Sequence, residues 1–519
     1  MNESETEGRL VIGVHYEPSN VDPHIGAAEL ALQMTNGVFD TLVNKTPEGE
    51  YLPGLAQSFE VSADECVYTF QLRQDVIFHD GTPLDAAAVK FSLDRARDPV
   101  NQSQLAGRML GPYDSARVLG DHAVEIRLSK PYGLLLDSLS QGWLAPVSPL
   151  AVSKYGNDFA RHPVGTGPFI FDEWIAGDRI TLKRNPDYAW APPMVQNQGP
   201  AKLKELAFVF LPDGPDRTAA LRAGDVDAVF YVPPTDIAGL RSDPTFRVDT
   251  WPIRGIPVCM MMNIARPPTN DLLVRQAVNY AIDQDALVAE VFQGEFARAY
   301  GPVSQYTLGY DDSVEAMYPH DIAAAERLLQ EAGWELAHGG VRVKQGEKLR
   351  LNFYALPVNF YPQFGDIVTR QLQQVGIEVH VKVVPPVEWI KAGMRGDHHL
   401  IPQGKYASSS QLLSFVYHSR QSDENGYGWS KRSAEHCPGF DELLDRAEQT
   451  LRKEEFVPLF EEVQKIVMKE ALVAPLHCNT NVIAYRADIE GIQFDAIGAY
   501  PYFHDTAIRK TREKSASDE

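Results

Sequence analysis

Apolar and polar residues alternate along several short stretches of the chain, and this pattern is typical of half-buried β-strands. In residues 65–78, Val67, Phe70 and Leu72 alternate with polar neighbours, and residues 122–131 show the same pattern. These two stretches predict strands of a mainly antiparallel region.

Other stretches repeat their apolar residues every three to four positions, as an amphipathic helix does. Val89, Leu93 and Ala96 form one such stripe, Asp85 stands at the N-cap position, and the helix should end before Pro99. This pattern predicts a helix that packs through this apolar stripe.

Helices and strands alternate further along the chain. A helix ended by Gly224 precedes a short apolar strand at Val226–Tyr231. Beyond Trp251, a strand at 348–356, a helix at 366–376 and a strand at 377–384 follow one another. This order predicts a βαβ unit, so we expect an α/β fold with a second α/β lobe from about residue 252.

Several helix ends carry specific signals. Asp283 and Asp321 are predicted N-caps of two helices that should stop at Gly294 and Gly333.

Length and charge narrow the class of protein. A chain of 519 residues suggests about two to four domains. The formal net charge of −22 disfavours nucleic acid and anionic membrane surfaces as partners. No run reaches the roughly 18 apolar residues of a membrane span, and the first residues lack a signal peptide's basic and apolar regions. The protein is therefore either cytoplasmic or has had its export signal removed.

Motifs for metal binding and catalysis are missing from the sequence. The cysteines Cys66, Cys259, Cys437 and Cys478 are too scattered for a zinc site, and both a single disulfide and free thiols remain open. Residues 165–169, GTGPF, lack the third glycine of a dinucleotide fingerprint. We therefore predict no cofactor and no metal.

The adjacent His398 and His399 precede a predicted strand, where successive side chains point to opposite faces. We expect one to be packed and the other solvated.

Aromatic residues concentrate in turn-rich segments of the second half. They either pack in the core and its rim or line a cleft for a small ligand. These residues are Tyr354, Phe360, Tyr361, Tyr406, Tyr417, Tyr427 and Trp429.

Six segments in order along nearly the whole chain together resemble the family 5 extracellular solute-binding proteins, the dipeptide, oligopeptide, nickel and opine receptors of ABC importers. The segments are LAQSFEVSADECVYTFQLRQDVIFHDGTPLDAAAVKFSLDRA, PVGTGPFIFDEWIAGDRITLKRNPDY, RAGDVDAVF, PPTNDLLVRQAVNYAIDQDALV, AAAERLLQEAGW and GFDELLDRAEQTL.

The resemblance implies the two-lobed periplasmic-binding-protein fold of the large peptide-binding type, with an extra α+β subdomain in the first lobe. The implied divisions are 1–45, 165–251 and 485–519 for lobe I, 46–164 for its extra subdomain, and 252–484 for lobe II.

The resemblance also implies a function. A monomer outside the cytoplasmic membrane, its export signal removed and with no direct membrane insertion, would enclose a small-molecule ligand by hinge closure and present it to a membrane permease of an ABC importer. No catalysis and no nucleic acid would be involved.

Two departures from the family bear on the ligand. Peptide-binding members hold the ligand's α-amino group with an Asp in a GW-x-G-D-x-x-D-P segment, where this chain has Lys405 for the Trp and Ser408 for the Asp. Dipeptide-binding members place an Arg for the ligand carboxylate where this chain has Asn359 or Phe360. A standard dipeptide should bind poorly, because an unpaired charge in a dry cleft costs several kcal/mol.

The ligand implied by the remaining residues is neutral or anionic: an oligosaccharide, a sugar conjugate, an opine or a modified peptide. The resemblance places the ligand-binding residues in the first lobe and hinge, and in the second lobe. They are Tyr16, Glu17, Ser19, Asn20 and Arg254, and Asn359, Phe360, Tyr361, Lys405, Tyr406, Ser408, His418, Tyr427 and Trp429.

Two alternatives stay open. A carrier of a metal chelate or haem would use His418, and a hydrolase would use an acid pair such as Asp423 and Glu424.

Overall fold

The computed structural model describes residues 5–6, 8–25, 29–101, 103, 105–357, 360–423 and 426–509. The chain forms two compact units: Met1–Trp251 with Asn481–Glu519, and Pro252–Thr480. The chain therefore passes between the units twice, at 251/252 and at 480/481. The finer division of the first unit stays a prediction.

Most strands are short. In chain order they are β1 (Glu5–Thr6), β2 (Arg9–Val14), β3 (Val43–Lys45), β4 (Tyr51–Pro53), β5 (Ala56–Val61), β6 (Val67–Leu72), β7 (Tyr113–Gly120), β8 (Ala123–Leu128), β9 (Phe169–Ile175), β10 (Arg179–Arg184), β11 (Glu205–Phe210), β12 (Ala228–Phe230), β13 (Phe246–Pro252), β14 (Gly255–Met262), β15 (Glu335–Leu336), β16 (Arg342–Lys344), β17 (Glu347–Lys348), β18 (Arg350–Ala355), β19 (Glu378–Val383), β20 (Leu400–Tyr406), β21 (Val473–His477), β22 (Thr480–Arg486), β23 (Ile489–Glu490), β24 (Gln493–Phe494), β25 (Pro501–Tyr502) and β26 (Ala507–Arg509).

The α-helices range from one turn to 17 residues. They are α1 (Glu29–Thr35), α2 (Ala86–Arg97), α3 (Ala106–Met109), α4 (Leu135–Leu139), α5 (Pro149–Tyr155), α6 (Gly214–Ala223), α7 (Pro234–Arg241), α8 (Leu272–Ala281), α9 (Gln284–Phe292), α10 (Ile322–Glu331), α11 (Tyr361–Gln374), α12 (Pro386–Arg395), α13 (Leu413–Tyr417), α14 (Phe440–Gln449) and α15 (Lys453–Lys469).

The first unit is built on a mixed seven-stranded sheet in the order β13-β22-β12-β2-β11-β10-β9. Strand β2 lies near its centre and runs parallel to β11 and β12 on either side. Its residues Leu10 and Ile12 are fully buried in the core of this unit. The carboxyl ends of three parallel strands therefore meet at one edge, where α/β sheets commonly bind ligands.

The predicted antiparallel region is a four-stranded sheet in the order β5-β6-β8-β7. Strands β6 and β8 pair directly, and Phe70 opposite Val124 is one of their buried cross-strand pairs. The predicted helix beside it is α2, and the Asp85 side chain accepts a hydrogen bond from the backbone N–H of Ala88. Both predictions are confirmed.

The second unit contains a five-stranded sheet in the order β19-β18-β20-β14-β21. Strands β18 and β19 are parallel and α11 connects them, so the predicted βαβ unit is confirmed. Strand β14 is buried along its whole length and pairs antiparallel with both β20 and β21.

The predicted helix ends in the second unit are also confirmed. Asp283 and Asp321 accept hydrogen bonds from the N–H groups of Ala286 and Ala324, the third residue of each helix. Gly294 and Gly333 both adopt the left-handed φ of 81° that helix C-termini favour.

All four cysteines are free thiols, which resolves the choice between a disulfide and free thiols. Burial raises the pKa of Cys478 to about 11, so its thiol stays protonated at neutral pH.

Buried histidines should make the second unit sensitive to acid, and His477 is one of them. His477 lies at the end of β21 with its ring 4.5 Å from that of Phe292 and 5.1 Å from that of Phe364. Burial lowers its pKa from 6.5 to about 4. The unfolded chain therefore takes up the proton first as the pH falls below 6.5, and the folded state loses stability down to about pH 4.

At pH 5 this single group should lower the free energy of unfolding by about 2 kcal/mol relative to pH 7. We expect His477→Phe to reduce the difference in unfolding free energy between pH 7 and pH 5 by that amount, measured by urea denaturation. The exposed His320→Gln should leave the difference unchanged. An equal pH dependence in His477→Phe and the unmodified protein would contradict the assignment.

Candidate functional site

The predicted residues of the first unit follow β2 at the edge where the three parallel strands end. Tyr16 is 43% exposed, and Ser19 is exposed as well. The Glu17 carboxylate instead accepts hydrogen bonds from the Trp174 indole N–H at 2.9 Å and from the Gly177 backbone N–H at 3.1 Å. Tyr16 therefore offers an exposed ring, whereas Glu17 fixes the turn between β9 and β10.

Asn20 differs from its neighbours because its side-chain oxygen is buried without a hydrogen-bond donor among the described residues. A buried amide oxygen that lacks a donor is costly, so this atom is suited to accept a hydrogen bond from a bound molecule or water.

A polar cluster that the sequence reading missed lies beside these residues. The His15 ring meets the Tyr231 ring edge-on at 4.0 Å, and the Tyr231 hydroxyl accepts a hydrogen bond from the Gln33 side-chain amide at 3.0 Å. The Arg217 guanidinium donates to the Tyr231 carbonyl at 2.9 Å. Burial, with Arg217 nearby, lowers the pKa of His15 to about 4, so this ring is neutral at physiological pH.

In the second unit, a close approach of two strands positions Arg254 and Lys405. Gly255 has a φ of 118°, and a Cβ on it would lie 2.2 Å from the Lys405 carbonyl oxygen. Tyr406 pairs with Gly255, and the Ala407 N–H donates to the Arg254 carbonyl at 3.0 Å. The Arg254 Nε donates to the Tyr306 carbonyl at 2.8 Å. The predicted residues Arg254, Lys405 and Tyr406 therefore share one end of the β14–β20 pair.

Lys405 also marks the start of a row of aromatic rings. Its ammonium lies 4.0 Å above the centre of the Tyr427 ring, a cation–π distance. Tyr427 stacks on Phe415 at 5.3 Å and on Trp429 at 6.3 Å. Trp429 meets Trp389 edge-on at 4.7 Å.

The row continues to the other predicted aromatics. Trp389 contacts the ring of Tyr361 at 6.4 Å, and Tyr361 contacts Phe364 at 6.1 Å. Phe292 links Phe364, at 5.9 Å, to Phe360, at 4.8 Å. The structure thus connects Lys405, Tyr427, Trp429, Tyr361 and Phe360 through ring contacts, although these residues are far apart in sequence. We call this set, with Phe415 and Trp389, the aromatic row.

Members of the aromatic row differ in exposure. Trp429 is 1% exposed, and its indole N–H has no acceptor among the described residues. Tyr427 and Tyr361 are half-buried and so retain surface that a ligand could contact. Trp429 therefore packs beneath the half-buried rings of the row and is not itself exposed to a ligand.

Gln403 is a polar residue that the sequence reading missed. It precedes Lys405 by two residues on β20 and so faces the same side of the strand. Its amide donates to the Tyr427 carbonyl at 3.4 Å, and its buried side-chain oxygen has no donor among the described residues. The period-two spacing from Lys405 was the signal that could have identified it.

The next predicted residues of the second unit are not members of the aromatic row. Ser408 is 5% exposed and is the second residue after the end of β20. Asn359 lies outside the described residues, as does Glu424 of the proposed acid pair, whereas Asp423 is exposed.

His418 lies in an ion-pair cluster rather than in the aromatic row. Its Nδ1 accepts a hydrogen bond from the Arg420 N–H at 3.1 Å, and its Nε2 is 3.5 Å from a carboxylate oxygen of Asp445. Burial, then Arg420, lowers the pKa of His418. None of the contacts described here joins His418 to Lys405 or Tyr427.

The expectation that one residue of the His398–His399 pair is solvated is wrong, since both are buried. β20 begins only at Leu400, and both rings bind backbone carbonyls: His398 that of Trp429 at 2.8 Å, and His399 that of Pro267 at 2.9 Å. Within the described ranges, no three His, Cys, Asp or Glu side chains are grouped so as to hold a metal ion. No described helix has the length and apolar character needed to cross a membrane.

Comparison with known proteins identifies the family to which this chain is similar. Residues 50–427 match the family model described as bacterial extracellular solute-binding proteins, family 5 Middle. The probable di/tripeptide-binding protein 5 of Pseudomonas aeruginosa (strain UCBPP-PA14) is 28% identical over 502 residues, covering 90% of each chain. The glutathione-binding protein GsiB of Escherichia coli O157:H7 is 31% identical over 325 residues, covering 63% of this chain and 61% of GsiB.

A solved structure confirms the predicted fold class. The periplasmic binding protein DppA from Helicobacter pylori, in complex with the peptide STSA, superposes with a TM-score of 0.82 at 23% identity. The match covers 98% of this chain and 99% of DppA. The fold is thus that of the two-lobed α/β periplasmic binding proteins.

Close packing on Gly393 of α12 holds Trp429 in the aromatic row. A Cβ at this position would lie 2.5 Å from two carbon atoms of the indole. We expect Gly393→Ala to lower the free energy of unfolding by about 2 kcal/mol, because the indole must move within a packed core. Urea denaturation measures the loss of stability, and a change in tryptophan emission reports the movement of the indole.

Lys391→Ala on the same helix is the matched control, because Lys391 is exposed. It should leave the stability within about 0.5 kcal/mol and the emission unchanged. Wild-type stability and emission in Gly393→Ala would show that Trp429 is not held in this way.

Proposed function

Because the chain belongs to the family 5 extracellular solute-binding proteins, we propose that it is the extracytoplasmic receptor of an ABC importer for an anionic modified peptide. Its role is to bind the solute and deliver it to the membrane permease. The aromatic row, with Arg254 beside its Lys405, is the observation that carries this proposal.

The names of the relatives support a peptide-like ligand. One relative is a probable di/tripeptide-binding protein, and another binds glutathione. Glutathione is a tripeptide with a γ-linked glutamate and two carboxylates. Modified peptides of this kind combine amide groups with an additional carboxylate.

The charges at the end of β20 favour a carboxylate over an ammonium group. Lys405 and Arg254 are both cationic, and Ser408 occupies the position at which peptide-binding members carry an Asp. A ligand ammonium here would meet like charges, whereas a carboxylate would gain charge-assisted hydrogen bonds. A γ-glutamyl peptide or an opine meets this requirement better than a standard dipeptide does.

The aromatic row would supply most of the apolar contact. Half-buried tyrosines offer a flat apolar face and a hydroxyl group, so they can hold a peptide backbone without requiring a particular side chain. We assign Tyr427 and Tyr361 to this role, with Phe360, and assign orientation to Lys405. In the first unit we assign contacts to Tyr16 and Asn20.

We also propose that the protein is not an enzyme. Asp423 of the candidate acid pair is exposed to solvent, whereas catalytic acids are commonly enclosed in a cleft. Ligand release to a permease requires a change in the arrangement of the two units and no chemistry on the ligand.

Isothermal titration with reduced glutathione, γ-Glu-Gly and Ala-Ala tests the ligand class. We expect the two γ-glutamyl peptides to bind and Ala-Ala to bind at least about tenfold more weakly. Lys405→Met should raise the Kd for glutathione at least about tenfold, since it removes the cation that pairs with a carboxylate.

Lys382→Met is the matched control. The Lys382 ammonium likewise lies over a tyrosine ring, 5.0 Å from the centre of Tyr354, but it is outside the aromatic row. Its replacement should leave the Kd unchanged. Equal affinity for Ala-Ala and glutathione, or an unchanged Kd in Lys405→Met, would refute the anionic ligand.

Small-angle scattering tests the receptor mechanism separately. We expect the radius of gyration to fall on saturation with the best-binding probe, because ligand contacts should favour a closed arrangement of the two units. The same radius with and without bound ligand would refute delivery by closure.

A further inference from the structure

A groove lined by charged residues lies in the second unit, away from Lys405 and Arg254. In the five-stranded sheet, Met262 pairs with Leu400 at one end of the β14–β20 ladder, and Gly255 pairs with Tyr406 at the other. Lys405 and Arg254 lie at the Gly255 end. The groove is lined by His399, directly before Leu400, and by Arg350, the first residue of β18. It is therefore at the opposite end of the β14–β20 ladder from Lys405 and Arg254.

The groove has the size and charge of a small-anion site. Its volume is about 540 Å³, within the range of about 300–1,000 Å³ typical of small-molecule sites. Four cations and two carboxylates line it, so its formal charge is +2 on a chain of −22. These residues are Arg266, Lys344, Lys348, Arg350, Asp271 and Glu347.

Several of these charges already have partners. Arg350 forms an ion pair with Glu378 at 3.1 Å, and the Lys344 ammonium donates to the Ala332 carbonyl at 2.6 Å. Asp271 caps α8, where it accepts a hydrogen bond from the Leu273 N–H at 3.0 Å.

Arg266 and Lys348 are different. Across the described ranges, neither forms an ion pair, although Lys348 interacts at longer range with the Glu378 carboxylate. Both cations can therefore still attract an incoming anion.

The backbone that carries Arg266 is held rigidly. The His399 Nδ1 accepts from the Asn352 N–H at 2.9 Å, so its Nε2–H is the proton donated to the Pro267 carbonyl. The Arg266 carbonyl accepts from the Asn270 N–H and from the Thr269 hydroxyl, both at 2.9 Å. A fixed backbone lowers the entropy cost of ordering the groove around a ligand.

We propose that this groove binds a small soluble anion with two or more phosphate or carboxylate groups, through Arg266 and Lys348 with Lys344 and Arg350 at its sides. Arginine and lysine are the side chains that bind such groups most strongly. The site is separate from the peptide-binding site, and it does not depend on the proposed function.

Isothermal titration of the full chain with inorganic pyrophosphate and with citrate tests the site. We expect one-site binding of at least one probe, with a Kd below about 1 mM at physiological ionic strength. The double variant Arg266→Gln/Lys348→Gln should raise that Kd at least tenfold. Pyrophosphate and citrate together show whether phosphate or carboxylate is preferred.

Lys391→Gln/Lys453→Gln is the matched control, since it removes two exposed cations of the same unit that do not line the groove. It should leave the Kd within twofold. Glutathione affinity should be unchanged in both double variants, which separates a failure of this site from a failure of the proposed function.

Three results would overturn the proposal: no binding of either probe, an unchanged Kd in Arg266→Gln/Lys348→Gln, or an equal loss in the two double variants. A lipid-borne phosphate is tested with phosphatidylglycerol vesicles. Vesicle binding that depends on Arg266 and Lys348, without binding of the soluble probes, would also overturn the assignment to a soluble anion.

Discussion

The second unit depends on the close approach of β14 and β20 at Gly255. A side chain there would collide with the Lys405 carbonyl, and the Gly255 N–H and C=O are both hydrogen-bonded to the 304–307 loop, at 2.7 Å and 2.9 Å. Since β14 is buried along its length, its register cannot slip without moving apolar side chains out of the core. The same contact therefore fixes the core and sets the positions of Arg254 and Lys405.

Cations lie at both ends of the β14–β20 ladder, but their surroundings differ. Lys405 lies over an aromatic ring, where a cation gains attraction from the π face and an elongated ligand gains apolar contact. Arg266 and Lys348 lie in an open groove with few aromatic groups, where recognition must be mainly electrostatic. The first end is thus suited to organic ligands with a long apolar surface, and the second to compact ions.

Local signals in the sequence predicted the fold well. Asp85, Asp283 and Asp321 cap their helices because a cap needs only residues within three positions of it. The candidate site was harder to predict because its contacts are distant in sequence. Trp389 belongs to the aromatic row and Phe292 links Phe360 to Phe364, yet each reads only as an apolar residue of an amphipathic helix. His398 and His399 were misjudged because their carbonyl partners, in Trp429 and Pro267, lie 31 and 132 residues away.

The net charge of −22 opposes the binding of anions only over the distance at which the acidic groups act through salt solution. At physiological ionic strength the Debye length is about 8 Å, so most of the acidic surface is screened from either end of the ladder. Interactions at contact distance are screened much less. Lys405, 4.0 Å above a half-buried tyrosine ring, lies partly out of water, where its field is stronger. Local cations can therefore outweigh the net charge of the chain at the two proposed sites.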